Sequence, residues 1–67
     1  SALKRPSKAI SDFNRAIEIN PESIEAYTNR AITYRFIKSY RRLCLDLQTM
    51  KKLGAQQVDD WIKEYCK

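Results

Sequence analysis

Few side chains in this 67-residue chain could do chemistry: Cys44, Cys66, the neighbours Asp59 and Asp60, and a scatter of lysines and arginines, with no histidine. Without histidine there is no ordinary side chain that titrates near neutrality for general acid–base work. Neither cysteine has an evident activating base. Asp59 and Asp60 are adjacent, so on a helix they splay about 100° apart and do not face each other. In a first helical turn they are solvated acids, favourable to the helix dipole. Two thiols without histidine cannot supply the usual four zinc ligands. The chain also lacks a glycine-rich phosphate loop and an EF-hand pattern. We therefore expect no enzymatic activity, no metal and no cofactor. Cys44 is expected as a small core residue and Cys66 as a helix-end residue. A Cys44–Cys66 bridge is the alternative, set against the high cysteine density of disulfide scaffolds.

Charge raises a second chemistry. Thirteen basic and eight acidic residues leave a net charge of +5, which poses the question of an acidic partner or nucleic acid. The cations are spread over Lys4, Arg5 and Lys8, then Arg35, Lys38, Arg41 and Arg42, then Lys51 and Lys52. Such spacing is ordinarily a solvated surface, and no nucleic-acid-reading motif accompanies it. Nucleic acid is not the expected partner. No run of 18 apolar residues is present to span a membrane, and residues 1–20 hold no apolar signal-peptide core. Two sparse cysteines fit a reducing cytoplasm better than a secreted scaffold.

The elements that position these residues are helical. One glycine and two prolines in the chain argue against a loop-rich or all-β fold. A 43% hydrophobic and 31% charged composition excludes disorder. At this length only about 60% of the unfolded surface is buried, so an isolated core is marginal. The first helix is predicted over residues 6–19, with Pro6 in its first turn. Ala9, Ile10, Phe13, Ala16 and Ile17 form its apolar stripe. Asn20-Pro21-Glu22 supplies a cap, a proline and an acid for a second helix over 21–37. Ala26, Tyr27, Ala31 and Tyr34 share one of its faces. Ser39 is placed to cap a third helix over 40–53, striped by Leu43, Leu47 and Met50. Gly54 stands where a left-handed residue ends a helix. A fourth helix over 56–65 carries Val58, Trp61, Ile62 and Tyr65. Connections this short force sequential helices to lie antiparallel and adjacent.

The chain also repeats. A shift of 34 residues lays Ala9 on Leu43, Phe13 on Leu47, Ala16 on Met50 and Tyr27 on Trp61. Each pair is apolar on apolar, at the spacing of one helical hairpin. The pattern resembles the tetratricopeptide-repeat (TPR) family. Tyr27, Ala31 and Tyr34 match the aromatic, small and aromatic positions of the family's helix A. Ala9, Phe13, Ala16 and Pro21 match a preceding helix B, and Trp61 falls on the aromatic position of a following helix A. The resemblance covers residues 6–66. It implies an all-α fold of antiparallel helical hairpins, a TPR-type α-α superhelix of about four helices. Residues 1–67 are then a single partial TPR domain. Helix B of a preceding repeat spans 6–21, a complete repeat spans 22–55, and a capping helix spans 56–67. Arg30 stands where the family prefers leucine, and Leu43 where it prefers alanine, so altered packing is expected at both. Ala55 replaces a proline that would announce another repeat. The array is expected to stop here, at the natural C-terminus of a longer protein, with Gln56, Gln57, Asp59, Asp60, Lys63 and Glu64 giving the polar outer face of a cap.

The same resemblance implies a non-catalytic scaffold that binds a peptide or helix of a protein partner in a helical groove. Groove positions of the family's helix A fall here on Glu25, Thr28, Asn29, Ile32, Arg35 and Phe36. On the last helix they fall on Asp59, Ile62 and Lys63. Asn29 matches the asparagine with which some members hold a peptide carboxylate. The lysine those domains need four residues earlier is Glu25 here, so Asn29 is taken as a generic groove residue. Tyr27, Tyr34, Tyr40 and Trp61 are expected in the core. An uncovered first helix presenting Phe13 and Ile17 gives the alternative expectation, a self-associating homodimer.

Overall fold

The computed structural model describes residues 5–66, so Lys4 and Lys67 lie outside the described residues. Four helices follow in order: α1 (Pro6–Ile19), α2 (Ile24–Phe36), α3 (Tyr40–Lys52) and α4 (Asp59–Tyr65). No strand occurs among the described residues. The architecture is all-α, with each helix packed on its sequence neighbour: α1 on α2, α2 on α3, α3 on α4.

Local side chains moved two predicted boundaries. The second helix begins at Ile24 rather than Pro21. Asn20 spends its side-chain oxygen on its own turn, accepting the Glu22 N–H at 3.2 Å. Ser23 then becomes the cap, its hydroxyl oxygen accepting the Ala26 N–H at 3.2 Å. The last helix begins at Asp59 rather than Gln56, because Gln57 adopts a left-handed conformation (φ 66°) that no helix interior accepts. That kink turns Val58 inward, where it is 6% exposed.

Two helices stop by the same device. After α3, Gly54 sits at φ 94°, donating its N–H to Lys51 O, while Ala55 N–H reaches Met50 O at 2.9 Å. After α2, Lys38 adopts φ 62°, and Lys38 and Ser39 donate to Arg35 O and Tyr34 O in the same pattern. Both are Schellman ends, which satisfy the last carbonyls of a helix. Gly54 fills this role as its residue type predicts, whereas Lys38 does so against its side chain's preference. Ser39 does not cap α3 with its side chain.

The core lies between α2 and α3. Ala31, Tyr34, Leu43, Leu47, Met50 and Val58 form it, with Ile10, Tyr27, Trp61, Ile62 and Tyr65 packed around. Ala31, Leu43 and Leu47 have no exposed surface. Each fully buried leucine contributes about 1.5–3 kcal/mol. Leu43 therefore packs without exposure where the resemblance called for alanine. Of α1, only Ala9 is fully buried, and Phe13, Ala16 and Ile17 are half-buried, since α1 has a neighbouring helix on one side only. Tyr40 departs from expectation: it is 43% exposed and stacks on Tyr65 instead of entering the core. Its position in the first turn of α3 lies one turn short of the packed stripe.

Candidate functional site

The outward face of α2 follows from its periodicity. Glu25, Thr28, Asn29, Ile32, Arg35 and Phe36 recur at three and four residues, which places them along one side of the helix. Ile32 is 38% and Phe36 55% exposed, and Glu25 and Arg35 are exposed beside them. Thr28 and Asn29 are half-buried. The Thr28 hydroxyl donates to Ile24 O at 2.8 Å, so it is turned back on its own helix. Glu25 stands in the first turn of α2 and Phe36 at its end, about 16 Å apart along the axis at 1.5 Å per residue.

Arg35 joins this face to α4. Its guanidinium lies 5.0 Å from the centroid of the Trp61 ring, a cation–π contact. Trp61 meets Tyr65 edge-on at 6.3 Å, and Tyr65 stacks on Tyr40 at 5.4 Å. A continuous ladder, Arg35–Trp61–Tyr65–Tyr40, thus ties the end of α2 to α4 and the start of α3. Lys63 and Asp59 are exposed on α4. Asp59 pairs with Lys51 at 2.9 Å on the open surface, where such pairs add little stability. Ile62 is half-buried and packs against the core, so only part of its side chain faces outward.

A second constellation holds the hairpin together behind this face. Arg30 donates Nε to Asp46 Oδ2 at 2.9 Å and Nη2 to Asp46 Oδ1 at 2.5 Å. Its Nη1 donates to Asn14 Oδ1 at 2.7 Å. One guanidinium therefore bridges α1, α2 and α3. It also lies over the rings of Tyr27 and Tyr34, 5.4 and 5.7 Å from their centroids. The Asp46 hydrogen bonds raise the Arg30 pKa above its ordinary value, so the cation is secure at any physiological pH. Asp46 is only 3% exposed, and a buried carboxylate must be paired. The altered packing expected at Arg30 is this: an ion pair stands where leucine would. The pairing was missed, although Asp46 shares the stripe of Leu43, Leu47 and Met50 at helical spacing.

The cysteines correct an expectation. Cys44 and Cys66 form a disulfide across 22 residues, linking α3 to the end of α4. Antiparallel docking of α4 on α3 brings the two positions together, which spacing along the chain could not show. No helix of the described residues is long and apolar enough to cross a membrane.

Antiparallel helices sharing one core, with a helix face left to solvent, define the class of helical-repeat scaffolds. The chain matches the tetratricopeptide-repeat family over residues 13–54 and belongs to it. Proteins of this family are typically scaffolds for protein partners. No solved structure matches the chain.

Proposed function

We propose that this chain binds a peptide segment or helix of a partner protein along the outward face of α2, with α4 as the far wall, and that it performs no catalysis. Residues 22–55 act as the complete repeat, 6–21 as helix B of a preceding one and 56–67 as a cap. The observation that carries the reading is the exposure of Ile32 and Phe36 beside Arg35, whose guanidinium is fixed on Trp61. Such an apolar pair beside a positioned cation can anchor a segment holding one apolar and one acidic side chain.

Charge supports an acidic segment. From Ala26 to Leu45 the chain carries Arg30, Arg35, Lys38, Arg41 and Arg42 and no carboxylate. Among the described residues only Arg30 of these is in an ion pair. Base stacking finds less support, since the Tyr40 and Trp61 rings are already engaged with Tyr65 and Arg35. The test is selection from a random peptide library on the immobilised chain, followed by titration of the selected peptides. Phe36→Ala and Arg35→Glu should each weaken binding about tenfold or more, the scale of a hot-spot residue, with helicity retained. Peptides that bind both variants as well as the wild type would remove the groove assignment.

One observation favours self-association as a second reading. Ile19 is 76% exposed at the end of α1, with Phe13 and Ile17 half-buried on the same helix. Light scattering across a wide concentration range decides it: a mass that stays monomeric to millimolar concentration ends this alternative.

A further inference from the structure

We propose that the Cys44–Cys66 disulfide is a reversible latch that sets whether α4 is docked. Its effect on a partner rests on the groove reading above; the latch itself does not. Four observations carry it.

First, α4 is held weakly by everything else. It has seven residues, no side-chain cap and no fully buried residue. A helix this short does not persist in water without tertiary support. Its backbone lies close to α3 alone among the helices, and only side chains such as Trp61, under Arg35, reach α2. Its anchors are Val58 just ahead of it and the half-buried Trp61, Ile62 and Tyr65.

Second, the bridge is at the C-terminal end of α4. Cys66 directly follows α4, so the bond ties down the point where the helix would otherwise fray. Release there leaves the helix to its half-buried contacts and to its entry segment, in which Gln57 already holds a left-handed backbone.

Third, the bridge is reachable. Both cysteines are half-buried, in an open recess lined by Arg41, Leu45, Gln48 and Tyr65. Gln48 Nε2 donates to Cys44 Sγ at 3.3 Å. A neighbouring arginine and a hydrogen-bond donor both favour a thiolate, which is the group that leaves when a disulfide is opened.

Fourth, undocking would dismantle part of the candidate groove. Trp61 would leave the Arg35 guanidinium, Tyr65 would leave Tyr40, and Lys63 would lose its position.

The chemistry is a two-electron exchange with a dithiol reductant. One thiolate of the reductant attacks a sulfur of the bridge, the S–S bond breaks, and the other sulfur departs as thiolate. The reductant's second thiol resolves the mixed disulfide and the reductant leaves as its own disulfide. Cys44 and Cys66 each end with one proton.

Trp61 is the only tryptophan in the chain and lies inside the latch, so it reports directly. The experiment compares the whole chain before and after dithiothreitol, and after reoxidation. Alkylation followed by mass measurement should add nothing to the oxidised chain and two groups to the reduced one. On reduction, Trp61 emission should shift to the red and acrylamide should quench it more strongly. Amide exchange should rise across α4 while α2 and α3 stay protected, and reoxidation should reverse all of this. Cys66→Ser should behave as the reduced chain whether or not dithiothreitol is present. Three results would overturn the proposal. Two alkylatable thiols in the air-oxidised chain would mean that no bridge forms. Unchanged Trp61 emission after confirmed reduction would mean that α4 stays docked without it. Loss of all helicity on reduction, or in Cys66→Ser, would make the bond a structural staple of the whole chain.

Discussion

Replacing Arg30 by leucine, the residue its repeat position ordinarily takes, should destabilise this chain rather than improve it. The reason lies with Asp46. That carboxylate is 3% exposed and receives two hydrogen bonds from Arg30. Arg30→Leu leaves the charge buried and unpaired, a loss of about 3 kcal/mol after some gain from leucine burial. Asp46→Ala should cost less, about 2 kcal/mol. The Arg30 side chain is 18% exposed, so it can turn toward water and keep Asn14 and its two tyrosine rings. With both changes made, no buried charge is left behind. The residual loss, from the Asn14 bond, the ring contacts and a small void, should be about 2 kcal/mol rather than the additive 5. For a domain of this size, whose total stability is roughly 3–10 kcal/mol, the difference is large. Urea unfolding followed by far-ultraviolet circular dichroism would measure all four proteins. Single variants within about 0.5 kcal/mol of wild type, or an additive double variant, would refute the view that one guanidinium ties α1, α2 and α3 together.

Other expectations follow from single contacts. Lys38→Gly should stabilise the chain by about 1 kcal/mol, because glycine takes φ 62° without strain; a shift of the urea midpoint downward would contradict this. Ser23→Ala should lose about 1 kcal/mol by removing the α2 cap at the Ala26 N–H, read in the same unfolding assay. If the partner segment is acidic, peptides selected on the chain should lose affinity as salt rises, and a titration between low and physiological ionic strength would show it. Lys51→Ala, by contrast, should change stability by less than about 0.5 kcal/mol, since its pair with Asp59 is fully on the surface.

The α2 face was legible in the sequence because it depends on local rules alone. Spacings of three and four fix which residues share a helix side, and a 34-residue self-match fixes the hairpin. Gly54 likewise announced its own turn, and Pro6 its own first helical position. Cap choice was less legible, since Asn20 and Ser23 are equally good capping types three residues apart. Only the fold of the intervening turn decided between them.

Pairings across helices were decided by tertiary structure. Asp46 and Arg30 lie 16 residues apart, and composition cannot show that one buried charge finds the other. Cys44 and Cys66 lie 22 apart and carry no cysteine-rich signature. Their union depends on how α4 folds back onto α3. The same folding back puts Trp61 under Arg35 and Tyr65 on Tyr40. The sequence by itself determined the all-α hairpins and the residues that share each helix side, because those follow from the 3.6-residue period of one chain segment. Only the tertiary structure decided which charges, rings and sulfurs meet, because those contacts depend on how separate helices pack against each other.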